Sequence, residues 1–263
     1  MQHTDDHATL ELLFAGGPEV EPRPTIVFPH LPGSGAAGVA DALVSTVGDG
    51  RRQLVPAPPV DTGEEEHRAW HRDLWYAMSA VQREKLTLAT GPTALFLAPT
   101  MAEEGRAIVL VREPLAAAHA MGKALPKPRL VSGLASTPLA EAPSRLRRFA
   151  NPQSRALMAP WHDTALLAVS DGPPDDADHW REALFEEILP RVQVVPSERA
   201  ASVTDDFIDL VGARRKPVMH AVRAIATVHE PDDDPAKREA IRRLSWLDAE
   251  LHEHLLSAPT LAS

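Results

Sequence analysis

The residues of this chain best suited to chemistry lie in two short stretches. The first, residues 30–38 (HLPGSGAAG), follows the apolar run 24–29 (PTIVFP) and leads into a helix-like segment. Its glycines at 33, 35 and 38 and the hydroxyl of Ser34 allow successive backbone N–H groups to point at an anion, with the positive end of a helix behind them. The second is Arg112-Glu113-Pro114, at the carboxyl end of the β-like run 106–111 (RAIVLV). Ligands of open α/β sheets bind at that edge, and an arginine there is a permanent cation able to fork onto a phosphate. Pairing of Arg112 with Glu113 or with a helix end is the alternative. The glycine stretch is not a Walker A loop, because no G-K-[ST] follows it. It has the G-x-G-x-x-G spacing formally, but no acidic residue closes a second strand about 20 residues on, as a dinucleotide site requires.

The chain has no cysteine, so any nucleophile or metal ligand must be oxygen or nitrogen. His30 and His119 are the histidines nearest in sequence to the glycine turn and to Arg112, which makes them the candidate acid/base groups. His67 and His71 stand at i, i+4 on one helix, a spacing that can bind a metal, but no third ligand accompanies them and no metal is expected. His252 and His254 in the final helix read as packing or solvent-facing side chains.

Elements that could position these groups follow from periodicity. Residues 24–29, 85–90 (KLTLAT) and 106–111 read as strands, 53–57 (QLVPA) as a weak one and 191–196 (RVQVVP) as one more. Residues 36–47 read as a helix, as do 64–82, with Trp70, Leu74, Trp75, Met78 and Val81 at helical spacing and Glu64, Glu65 and Glu66 at the positive end. Residues 115–123 form an alanine-rich helix, and 126–143 a Pro/Ser/Gly-rich loop over the sheet edge. Helices are expected at 144–158, 178–189, 200–211 and 237–257. The last starts with Asp234 as N-cap and Pro235 at the first position, and docks through Ile241, Leu244, Leu247, Leu251 and Leu255. The acidic runs 171–178 and 230–234 read as solvated loops. Strands alternating with helices predict an α/β fold: a short parallel sheet around residues 24–111, helices on both faces, and a helix-rich C-terminal half packed on it. One domain over 1–263 is expected, with 1–23 partly flexible.

Composition limits the function. The chain has 263 residues, 44% apolar and 24% charged, enough to bury a substantial core, and its 25 prolines cut it into short elements. A net charge of −10 disfavours nucleic acid and acidic membranes, whose binding is driven by Lys and Arg neutralising phosphates. No stretch approaches the roughly 18 apolar residues of a membrane span. The polar, acidic N-terminus lacks a secretory signal, so a soluble cytoplasmic protein acting on a small molecule is expected.

Five stretches in order, HLPGSGAAG, IVLVREP, NPQSRAL, VVPSERAAS and LDAELHEHL, resemble the sulfotransferase family of bacterial and heparan type that uses the donor PAPS (3′-phosphoadenosine 5′-phosphosulfate). The likeness runs over about residues 24–255. It implies a three-layer, P-loop-like sulfotransferase fold, PAPS as cofactor with no metal, and a hydroxyl or amine of a small metabolite as acceptor. It further implies that Gly33, Ser34, Gly35, Ala36 and Ala37 hold the phosphosulfate, that Arg112 and Arg155 hold the 3′ phosphate, and that the basic run Arg214, Arg215 and Lys216 lies where a loop often reaches the donor; a surface or helix-capping role is the alternative for Arg155, and a solvated face is the preferred reading of the basic run. In the family the first loop reads H-I-P-K-T-G-G-T-S. Here the lysine position is Gly33, a threonine is Ser34, and the hydroxyls that should follow are Ala36, Ala37 and Gly38. The family's R-D-P motif has a serine eight residues after its arginine; this chain has Ala120. A G-H pair that supplies a general base reads Gly91-Pro92. Two readings follow. One is a diverged sulfotransferase; the other is a protein that keeps the fold but has lost PAPS chemistry, as a repurposed enzyme or a non-catalytic binding protein. A kinase or NTPase ranks below both, lacking the P-loop lysine.

Overall fold

The computed structural model describes residues 24–47, 52–54, 56, 63–101, 105–121, 149–168, 175–226 and 235–257. The expected loop 126–143, the acidic run 230–234 with its Asp234 cap, and the segment 1–23 lie outside the described residues.

Five strands form one parallel sheet: β1 (Thr25–Pro29), β2 (Arg52–Leu54), β3 (Leu86–Gly91), β4 (Gly105–Val111) and β5 (Gln193–Pro196), in the order β2-β3-β1-β4-β5. The sheet therefore extends beyond the expected 24–111, because β5 pairs with β4 from Ile108↔Gln193 to Val111↔Pro196. Pro196 has no N–H to give the ladder and sits at the end of an edge strand, where that lack is tolerated.

Alternation along the strands builds three layers. Ile26, Phe28, Leu88, Ile108, Leu110 and Val195 face one apolar cluster, and Val27, Ala89, Ala107, Val109 and Val111 face another. The first cluster is closed by α1 (Ala36–Val44), and further on by α8 (Ala200–Val211) and α9 (Arg215–Ala226). α1 buries Ala36, Val39, Ala40 and Leu43, one face at i, i+3, i+4, i+7. The second cluster is closed by α2 (Glu64–Ala77) through Trp75, by α6 (Pro152–Met158), and by the final helix α11 (Trp246–Ser257) through Trp246, Leu247 and Leu251. With both faces covered, the strands read as unbroken apolar runs.

Between these lie α3 (Ala80–Glu84), a 3-10 turn (Ala94–Leu97) leading into α4 (Ala98–Met101), α5 (Pro114–Met121), α7 (Ala177–Glu182) and α10 (Pro235–Leu244). Two expected helices are divided. The 64–82 helix stops at Ala77, because Ser79 and Gln82 form a reciprocal capping box that starts α3, and Val81 is 56% exposed rather than part of the stripe. Within α2 the buried side chains are His71 and Trp75. The 237–257 helix breaks at Ser245, where the Leu244 carbonyl accepts the Asn151 amide and the Leu247 amide donates to Asn151 Oδ1. Of the expected helix 144–158, the described part begins with a turn at Phe149 and becomes helical at Pro152.

Candidate functional site

β1 lies in the middle of the sheet, and the chain passes from β3 on one side of it to β4 on the other. A crevice outside the carboxyl ends of the strands is expected at such a reversal. Both predicted stretches meet there.

The turn after β1 owes its shape to two left-handed glycines, Gly33 at φ 72° and Gly35 at φ 78°. Between them Ser34, fully buried, donates its hydroxyl proton to Leu31 O (2.9 Å) and accepts the Ala36 amide (3.2 Å). Gly35 is the N-cap of α1. The amides that follow, at Ala37 and Gly38, belong to the first turn and have no intrahelical acceptor. A Cβ on Gly38 would meet nothing within 4 Å, so the turn is open on that side. A Cβ on Gly35 would lie 3.4 Å from Arg112 Nη2 and 3.2 Å from Ile225 Cγ1. A Cβ on Gly33 would collide with the carbonyl oxygen of Ala117 in α5 and lie 2.8 Å from its carbon.

Arg112 is 5% exposed. Its amide donates to Gln153 Oε1 and its carbonyl accepts from Gln153 Nε2, both at 2.8 Å, so one side-chain amide clamps the end of β4. Its guanidinium donates through Nη2 to Ile225 O at 2.7 Å, near the carboxyl end of α9 and so at the negative end of that helix. Burial lowers the guanidinium pKa, with Glu198 acting the other way. Glu113 is spent on structure: its Oε2 accepts the Ala116 amide (2.8 Å) and Pro114 opens α5. At the end of β5, Glu198 Oε1 accepts from His252 Nε2 at 3.2 Å. Burial pushes the Glu198 carboxyl up, but the bonds from His252, its own amide and Ser197 outweigh it and hold it below the ordinary carboxylate value.

His30 is half-buried, its Nε2 3.0 Å from Thr90 Oγ1. Thr90 gives its own proton to Phe28 O (2.7 Å), so it accepts from His30, and the neutral imidazole carries its hydrogen on Nε2. His30 Nδ1 is then the basic nitrogen. Burial lowers the His30 pKa, with Asp41 opposing. His119 is half-buried on α5, the helix against which Gly33 packs.

Arg155 is surrounded by other charges. Burial lowers its pKa while Glu64 and Asp248 raise it, and its Nη1 reaches Ala150 O at 3.5 Å. The stretches around it form a structural joint. Asp248 of α11 accepts the Gln153 and Ser154 amides of α6 (3.1 and 2.7 Å), while Asn151 Oδ1 accepts the Leu247 amide of α11 (2.8 Å). Each helix caps the other. Arg215 and Lys216 lie exposed in the first turn of α9, with Arg215 paired to Asp205 at 2.7 Å. Ten residues of helix, roughly 15 Å, separate Arg215 from the Ile225 that touches the glycine turn. The structure therefore does not bring the basic run to that turn.

The resemblance pointed to the stretch that holds Gln153, but not to its clamp on the Arg112 backbone. Sequence reasoning missed Ile225 and Glu198 as parts of this edge and read His252 as packing or solvent-facing. An isoleucine that covers a turn leaves no spacing signal. Among the described residues no three His, Asp or Glu stand together as a metal site, and no helix is long and apolar enough to cross a membrane.

The sequence matches no family model and no curated protein. Among solved structures, the chain is similar to a sulfotransferase from Alicyclobacillus acidocaldarius at 14% sequence identity and a TM-score of 0.38, with 90% of this chain and 97% of that one covered.

Proposed function

We propose that the crevice at the ends of β1 and β4 binds an oxyanion-bearing small molecule, and that this chain is a diverged sulfotransferase-like protein taking a nucleotide of the PAPS class. The observation that supports it is the convergence at Gly35, which is both a left-handed turn residue and the N-cap of α1, and where a Cβ would stand 3.4 Å from Arg112 Nη2. An oxyanion there gains backbone N–H donors, the helix dipole and a cation together.

The backbone of the turn fits such a group; the side chains fit the full reaction less well. PAPS, when bound, supplies an activated sulfuryl group. Gly35, the α1 amides and Arg112 would hold its phosphates. In the resembled family a lysine at position 33 stabilises the leaving charge. Here Gly33 is pressed against the Ala117 carbonyl, so no side chain can leave the backbone at that point. Losing one such stabiliser costs about 10²–10³ in rate. That contact favours the second reading, in which the edge still binds an anion but sulfuryl transfer has been replaced by another use.

Calorimetry with adenosine 3′,5′-bisphosphate, on the wild type, Arg112→Lys and Arg112→Ala, tests the reading. Micromolar binding, weakened at least about tenfold in Arg112→Lys because the fork geometry is lost, is the expected result. Thermal melts of the variants separate loss of binding from loss of fold. No binding up to millimolar concentration by a folded wild type overturns the PAPS-class assignment.

A further inference from the structure

At the carboxyl end of β3, two threonines each meet an imidazole, with opposite polarity. Thr90 accepts from His30, as derived above. Thr93, two residues past the strand, lies with Oγ1 3.1 Å from His71 Nε2, and His71 Nδ1 lies 2.6 Å from His67 O. A carbonyl oxygen can only accept, so Nδ1 carries the hydrogen of the neutral ring and Nε2 is an acceptor. Thr93 must therefore donate: its hydroxyl proton already points at a base.

The ring is held for that task. His71 has no exposure and stacks on Phe96 (5.4 Å, 24°), while Trp70 meets it edge-on at 4.8 Å. Burial lowers its pKa, with the His67 carbonyl opposing and the His67 ring adding to the lowering, so the neutral, proton-accepting form prevails at pH 7. Thr93 itself is half-buried. It occupies the N-cap position of the 3-10 turn Ala94–Leu97 without making a side-chain cap bond. A threonine there ordinarily accepts a backbone N–H; this one is oriented by the imidazole instead.

We infer that Thr93 Oγ1 is a nucleophilic hydroxyl, with His71 Nε2 as its general base and His67 O fixing the tautomer, and that its substrate class is an activated acyl or phosphoryl group. Hydroxyl, imidazole and an acceptor behind the imidazole form the arrangement that activates weak nucleophiles. In the step, Thr93 Oγ1 bonds to the electrophilic carbon or phosphorus, the bond to the leaving group breaks with its electron pair, and the Thr93 proton passes to His71 Nε2. The inference does not depend on oxyanion binding at Arg112.

The test uses the full chain with a fluorophosphonate, whose P–F bond breaks as fluoride leaves, followed by intact-mass and peptide mapping. One adduct on residue 93 is expected in the wild type and in Thr93→Ser, none in Thr93→Val, and labelling at least tenfold slower in His71→Asn, which keeps a donor toward His67 O but removes the base. Labelling of the wild type should also rise with deprotonation of an imidazole of pKa below 6.5 and level off by neutrality. The segments packed on this part of α2, residues 94–97 and 98–101, contain no ionisable side chain, and His67 is the ionisable group acting on the ring. No adduct on residue 93, or a rate that rises only in alkali, overturns the inference; that pH profile decides the matter even where His71→Asn fails to fold.

Discussion

At the scale of single residues, Gly33 decides more than its size suggests. Its φ of 72° and its contact with Ala117 leave room for a hydrogen and nothing else. Gly33→Ala should cost at least about 2 kcal/mol, the left-handed penalty plus the displacement of α5, read by urea unfolding. Gly33→Lys should likewise destabilise and confer no sulfuryl transfer, which a coupled assay for adenosine 3′,5′-bisphosphate release would detect. Asp248 is the other decisive residue. Burial raises its carboxyl pKa from the ordinary 3.8, while the bonds from Ser154 and Gln153 and the charge of Arg155 oppose the rise. A group with a raised folded-state pKa contributes stability that is fully present below its unfolded pKa and is lost as pH rises through the folded value. Unfolding at stepped pH upward from 4 should therefore show the wild type losing stability relative to Asp248→Asn, and a constant difference between the two would contradict this.

At the scale of elements, two helix ends carry the argument. The carboxyl end of α9 lies over the glycine turn, with the Ile225 side chain on Gly35 and its carbonyl holding Arg112. An oxyanion must compete with that carbonyl for the same guanidinium. Ile225→Ala, which takes the side chain off Gly35 but keeps that backbone carbonyl, should lose about 2–4 kcal/mol of stability, read by urea unfolding. The second pair is the joint between α6 and α11. Asn151, at φ 43°, caps α11 while Asp248 caps α6. Asn151→Ala removes a cap and leaves a non-glycine residue in a left-handed position it tolerates poorly, a loss of about 2 kcal/mol measurable by denaturant unfolding. NPQSRAL and LDAEL, two of the stretches through which the sequence resembles the sulfotransferase family, are in the structure the two halves of this joint.

At the scale of the whole molecule, the sheet order sets where chemistry can occur, because the reversal at β1 places the ends of β1 and β4 side by side. If that crevice takes the bisphosphate, a ligand concentration of 100 times Kd should raise the stability of the entire fold by about 2.7 kcal/mol, read as a shift in Tm. A shift unaltered in Arg112→Lys would place the ligand elsewhere. The sequence by itself determined the parallel α/β architecture, since apolar runs such as TIVF and AIVLV alternating with amphipathic segments have few other ways to bury both faces. It also determined the glycine turn and the strand-end arginine, because φ angles and strand ends are local properties. Only the tertiary structure decided what those groups touch. That Gly33 is blocked by Ala117, that Arg112 is held by Ile225, 113 residues away, and that the buried His71 meets Thr93 all follow from helices packing across the sheet. Such packing is a sum of many weak, long-range contacts, and no spacing along the chain encodes any one of them.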